Sequence, residues 1–188
     1  MRLYCVLLIG ILLSFAGITT DAQTAAPLAA AKVAVFDTDA LTDEKAGVAR
    51  LVNTIKEVNG RFKKQTDDLN ALRDQIVAAE KEANDNIGKW LAGTLAEKGE
   101  LIDRLKRKYQ YDAEDAKKAY EKAMETATGP VYKDINTALQ AFAKQRGVDI
   151  LIDASKFAGA LMILNDAMDI TEAFIKDYNA KNSGVPVK

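Results

Sequence analysis

LVNTIKEVNGRFKKQTDDLNALRDQIVAAEKEA, residues 51–83, is the stretch that decides the fold. Leu51, Ile55, Val58 and Phe62 step by four, three and four residues, and the series continues through Gln65 to Leu69, Leu72, Ile76, Ala79 and Ala83. Steps of four and three average 3.5 residues. Such a period, sustained over more than four heptads with one polar member, marks a coiled-coil seam rather than an ordinary amphipathic helix. The spacing predicts a helix over 44–87, about 66 Å long at about 1.5 Å per residue. A compact domain has no use for a helix of that length.

Beyond it, Asn84-Asp85-Asn86, Gly88, Gly93 and Gly99 weaken the helix around Trp90, Leu91 and Leu95, which predicts the turn of a helical hairpin. A return helix is expected from about Leu101 to Thr128, with Ile102, Leu105, Tyr109, Ala113, Ala116, Tyr120, Ala123 and Ala127 along its apolar side. Alanine lets two helices approach closely but buries little area, so the seam is thin and the hairpin flexible. Gly129-Pro130 predicts a kink or a restart, because proline lacks a donor and crowds the preceding turn. Val131, Ile135, Leu139 and Phe142 then resume the helix, which Gly147 ends as a C-cap.

Short strands are expected at both ends of this hairpin: Lys32–Asp37, Asp149–Asp153 and Leu161–Asn165, followed by a last helix that starts at Asp169-Ile170-Thr171-Glu172. The strands lie far apart in sequence and must pair, which makes a small body from both chain ends. The resulting fold class is mainly α with a small β body and a long antiparallel coiled-coil hairpin. Three strands and one short helix bury too little to stand alone, and oligomerisation is the natural remedy. Val33, Val35, Ile150, Ile152, Leu161 and Ile163 are the residues expected to build that oligomeric body. The expected limits are a signal peptide over 1–22, a flexible leader over 23–31, the body over 32–43 and 130–181, the hairpin arm over 44–129 and a loose tail over 182–188.

The signal peptide is read from Met1-Arg2, the uncharged apolar run Leu3–Ile18 and the small residues around Thr20-Asp21-Ala22. The run is about 16 residues, short of the roughly 20 that a spanning helix needs. Cleavage is expected after Ala22. A cut near Ala25 or Ala26 is the competitor, although Pro27 argues against the latter. Export to the periplasm follows. The single cysteine, Cys5, would leave with the signal, and the chain has no histidine. The commonest general base and the commonest zinc ligand are thus missing together, and Ser155 and Ser183 have no histidine to activate them. No catalytic residue, cofactor or metal site is assigned. The full chain carries 26 Lys and Arg against 27 Asp and Glu, net −1. That balance gives no basic field for nucleic acid and no support for lipid contact.

KVAVFDTDAL (32–41) with EKAGVA (44–49), GPVYKDINTALQAFAKQRGVDILID (129–153) and NDAMDITEAFIKDYN (165–179) resemble, in order and spacing, the Skp/OmpH family of periplasmic chaperones. The resemblance covers about Lys32 to Asn179. It implies a jellyfish-shaped homotrimer whose strands form a barrel-like body and whose three hairpins enclose a cavity. There, unfolded outer-membrane proteins would be held without ATP. The best-studied relatives are strongly basic, and a lipopolysaccharide site has been proposed on their arms. This slightly acidic chain does not match that site residue by residue, so it is not carried over.

Several features keep two readings. Trp90, with Leu91 and Leu95, either grips cargo at the tip or plugs the hairpin turn. Tyr109, Tyr111, Tyr120 and Tyr132 either line a cargo cavity or pack the seam and body. Arg104, Lys106, Arg107 and Lys108 either attract acidic partners or form a solvated helix face. Asp37, Asp39, Asp153, Asp166 and Asp169 either act as paired carboxylates or cap strand ends and helix starts. At the level of the whole protein, a holdase competes with a periplasmic coiled-coil spacer that serves one folded partner.

Overall fold

The computed structural model describes residues 30–157 and 165–182. Its first strand, β1 (Val33–Phe36), pairs in parallel with β2 (Ile150–Asp153), with Val33 opposite Ile150 and Phe36 opposite Asp153. Parallel neighbours cannot be joined by a tight turn and need a crossover. The crossover here is a helical hairpin, α1 (Ala49–Asp85) and α2 (Ala92–Gln145). The second edge of β1 is taken by the chain at Asp169-Ile170, where the Ile170 amide donates to the Val35 carbonyl at 3.0 Å. A last helix, α3 (Thr171–Asn182), follows at once. The expected third strand, Leu161–Asn165, falls almost wholly outside the described residues; Asn165 itself caps a short 3-10 turn at Asp166–Met168.

Both long helices differ from their expected limits. α1 starts at Ala49 rather than near Glu44. Before it, a 3-10 turn (Asp39–Thr42) and a tight loop fold back, with Gly47 N–H donating to the Asp43 carbonyl and Val48 N–H to the Leu41 carbonyl. A Cβ on Gly47 would sit 2.5 Å from the Asp43 carbonyl oxygen and 2.6 Å from that of Leu41, so only glycine closes this loop. α2 starts at Ala92 rather than Leu101 and runs without a restart through Gly129-Pro130 for 54 residues, about 80 Å at about 1.5 Å per residue. Gly129 explains the continuity. The ring of a proline normally clashes with the Cβ of the residue before it in a helix, and glycine has none. One hydrogen bond to the Thr126 carbonyl is still lost, and burial of Thr128, Val131 and Ile135 on the opposite side offsets it. Gly93 and Gly99 cost about 1 kcal/mol each in a helix interior and are likewise carried by the seam. The C-cap stands as read: Gly147 has φ +67°, and Val148 N–H donates to the Ala143 carbonyl at 3.0 Å.

The core lies where hairpin, strands and α3 meet. Phe174 makes edge-to-face contacts at 5.5 Å with both Phe36 and Phe142, and Val48, Leu51, Val131 and Tyr178 close around them. The Asp134 carboxylate accepts from the Tyr178 hydroxyl and from Arg50, each at 2.8 Å, which joins α3, α2 and α1 at one point.

Two outcomes follow. Gly47→Ala should cost ~2 kcal/mol or more through the forced loop shift, a fall in Tm of roughly 4–8 °C by calorimetry. The Tyr178 hydroxyl is pushed up to about 12 by burial and by its bond to Asp134. Its folded value is raised, so its stabilising contribution is complete below the ordinary value of 10.0 and fades as pH rises through about 12. Absorbance titration of tyrosinate should therefore show one late component, which Tyr178→Phe removes.

Candidate functional site

All ten heptad positions from Leu51 to Ala83 are buried or half-buried, as are the eight matching positions from Ile102 to Ala127. The seam is thus a single continuous contact between α1 and α2. Polar ties cross it at intervals. Tyr120 donates to Asn59 at 2.8 Å, and its ring meets Phe62 edge-on at 5.4 Å. Near the turn, Lys106 pairs with Glu80 at 2.7 Å and Lys98 with Glu82 at 2.8 Å.

Small side chains leave open grooves beside this seam. One, of about 720 Å³, is walled by Phe62, Leu69, Ala113, Ala116 and Tyr120. A second, of about 960 Å³, opens on the other face beside Gly60, Ala123 and Ala127. Alanine steps and one glycine explain both, since a methyl or a hydrogen fills little of the space that a leucine would take. Each groove is mainly apolar with a charged rim, a surface suited to shielding apolar groups from water without fixing one ligand.

The turn is shorter than expected, Asn86–Leu91, and hinges on Gly88 at φ +79°. Leu91 is 82% exposed and Ile87 67%. Trp90 is half-buried, with the Lys98 ammonium 5.5 Å from its ring centroid; a cation over an indole face is favourable. Trp90 is therefore partly a plug, while Leu91 projects into water. Leu95 stands one turn into α2 and is half-buried. These three nominated residues come together at the turn. Tyr109 is half-buried on the seam and Tyr111 is 70% exposed, farther along α2. Tyr120 belongs to the seam and to the first groove. Tyr132 is 43% exposed and lies beside Phe36 and Leu41. Ile87 escaped the sequence reading. Its signal is an aliphatic residue wedged between Asn86 and a glycine of positive φ, where no packing partner can be supplied.

At the strand end, Val35 is 2% exposed and enclosed by its own chain, Val33 and Ile152 are half-buried, and Ile150 is 49% exposed. Leu161 and Ile163 lie outside the described residues. The aspartates act locally. Asp37 accepts from the Asp39 amide, Asp169 from the Thr171 amide, and Asp153 from the hydroxyls and amides of Thr38 and Ser155. Burial raises the Asp153 pKa, but those donors outweigh it and the carboxyl lies below its ordinary value. Among the described residues no three His, Cys, Asp or Glu side chains converge as a metal site, and no helix is long and apolar enough to cross a membrane. In the basic run, Lys106 is tied to Glu80, whose hydrogen bond and charge raise its pKa, and Lys108 pairs with Asp112.

The model of the family described as outer membrane protein (OmpH-like) matches residues 32–178, from the start of β1 to Tyr178 in α3. The chain belongs to the OmpH-like family. The OmpH-like match spans the strands, the hairpin and the core part of α3. A crystal structure of an OmpH-like protein from Caulobacter crescentus CB15 is similar at 22% identity with a TM-score of 0.45, over 85% of this chain and 90% of that one. Comparison with curated proteins returns no match.

Trp90 is the only tryptophan, so its emission reports the turn alone. Lys98→Ala should uncover the ring and shift that emission to the red. An unchanged spectrum would mean that Lys98 does not shield it.

Proposed function

We propose that this protein is an ATP-independent holdase chaperone, exported to the periplasm, that binds unfolded outer-membrane proteins and keeps them from aggregating. The observation that carries this reading is the OmpH-like match along a hairpin whose seam is thin, whose sides are grooved and whose turn exposes Ile87 and Leu91. A holdase needs many weak apolar contacts rather than one tight site, since weak contacts made together hold by avidity and release together. The candidate contact residues are Trp90, Leu91, Leu95, Tyr109, Tyr111 and Tyr120, to which Ile87 is added. The export signal over 1–22, the strand-end body over 32–43 and 130–181 and the arm over 44–129 are part of the same proposal.

Assembly as a homotrimer through the strand end is the second part of the reading. Two observations support it. Among the described residues β2 pairs on one edge only, and Ile150 and Phe157 stand about half-exposed near it. An open strand edge flanked by apolar side chains is a ready template for another chain.

Purified mature protein in molar excess should suppress light scattering from a diluted, unfolded outer-membrane β-barrel protein without nucleotide. No suppression would sink the holdase reading. The double variant Ile87→Ser/Leu91→Ser should keep the helical circular dichroism and weaken suppression severalfold. A spacer serving one folded partner would instead leave the cargo unprotected and recover a single protein in pull-downs.

A further inference from the structure

The two grooves beside the seam differ in wall and in rim. Only the first, of about 720 Å³, has aromatic rings in its wall. Phe62 and Tyr120 meet edge to face at 5.4 Å, and the Tyr120 hydroxyl donates to Asn59 across the seam at 2.8 Å. That bond fixes the Tyr120 ring before anything binds, so little ordering of the wall opposes binding. Leu69, Ala113 and Ala116 complete the apolar surface. In the second groove the uncharged wall is glycine, alanine and threonine.

The rims separate them further. On the first groove Lys63 pairs with Asp67 at 2.7 Å along α1, and Lys117 with Glu121 at 3.8 Å along α2. Every charge that lines this groove is thus matched on its own helix. On the second, Glu57, Arg61 and Lys122 make no ion pair among the described residues. A charged segment gains little from a rim already neutralised, and its own charges would lose water against the apolar wall. The first groove is therefore complementary to an uncharged apolar surface that carries rings, since a further ring can meet Phe62 or Tyr120 edge-on or offset.

Length narrows the occupant. Along α1 the groove runs from Asn59 to Leu69, about 15 Å of helix. An extended chain advances about 3.3 Å per residue and turns alternate side chains to one side, so three side chains of one face span about 13 Å. A short extended segment can lie along the hairpin with one face on the wall and the other in water. Strands of outer-membrane barrels have the matching composition: apolar residues alternate with polar ones, and aromatic residues gather at both ends of the apolar band.

We propose that the first groove is the subsite that seats the lipid-facing side of an unfolded outer-membrane strand, with an aromatic side chain of that strand against Phe62 and Tyr120. Its cargo is that of the holdase reading, on which this subsite rests. It adds which face of the hairpin does the holding and which side of the cargo is recognised. The polar residues of the strand point outward and stay hydrated. One such contact is weak, and cargo is held by several together.

Peptide titration tests the subsite on the mature protein with labelled alanine methyl groups. The probe is Ser-Tyr-Ser-Tyr-Ser-Tyr-Ser with blocked ends, and the control carries leucine in place of each tyrosine. The methyl signals of Ala113 and Ala116 should shift while those of Ala123 and Ala127 stay, and the leucine peptide should bind about three- to tenfold more weakly. Equal shifts on both faces, no shift at Ala113 and Ala116, or equal affinity for the two peptides overturns the proposal. Thr66 is exposed on the rim and is not a seam position. Thr66→Arg should leave Tm unchanged and weaken tyrosine-peptide binding about fivefold, because it sets a long charged chain over the apolar wall. Unchanged binding refutes the subsite. If the peptide does not bind while the protein still suppresses aggregation of an unfolded barrel protein, the subsite falls and the holdase reading stands. Peptide binding as expected, without suppression, removes the holdase reading alone.

Discussion

β1 needs a hydrogen-bonded neighbour on each side, and both neighbours come from beyond the far end of α2. Strand β2 takes one edge in parallel register, and Asp169-Ile170 takes the other. At its mouth the Lys32 amide donates to the Asp149 carboxylate, and the Asp149 amide to the Lys32 carbonyl, each at 2.8 Å. These bonds return the chain to its starting point after the whole hairpin. Without them α1 and α2 would be a thin coiled coil with loose roots. With them, Leu51 and Val48 at the start of α1 share one core with Phe142 near the end of α2 and Phe174 of α3.

Packing density then falls away from that core. Large, fully buried side chains cluster at the roots, with Tyr178, Phe36, Phe174 and Leu51 at 2% exposure or less. Farther along the hairpin the seam relies on alanine; Val58 is fully buried, while Leu72, Ile76 and Ile102 retain 8–9% exposure. Burial energy follows area, so the strand end is firm while the hairpin is held by small increments. Ion pairs across the seam near the turn, Lys98 with Glu82 and Lys106 with Glu80, are exposed and add little each. This gradient is what the proposed holdase role would need: one end kept intact and the other free to adapt.

The aspartates at the strand ends serve as local hydrogen-bond acceptors. Of the aspartates that a sequence reading can pair as acid and base, Asp37, Asp153 and Asp169 instead accept hydrogen bonds from amides or hydroxyls two positions away or across the strand pair. Asp153 illustrates the difference: four donors from Thr38 and Ser155 hold it ionised against the cost of burial, and they tie the end of β2 to the residue just past β1.

The heptads from Leu51 to Ala83, the alanine series to Ala127, both paired strands and the cap at Gly147 were legible in the sequence because each is a periodicity or a local backbone demand. Such signals are complete within one turn or one strand of chain. The continuity of α2 through Gly129-Pro130 was not legible. The two residues read as a break one at a time, while together the missing Cβ of Gly129 removes the clash that Pro130 would cause, and burial of Val131 and Ile135 sustains the helix. The start of α1 likewise depends on a carbonyl contact at Gly47 that no periodicity records. Which apolar residues face water was decided only in three dimensions. Leu91 and Ile87 are no less hydrophobic than Leu95 or Ile102, but the turn at Gly88 leaves them beyond the reach of either helix.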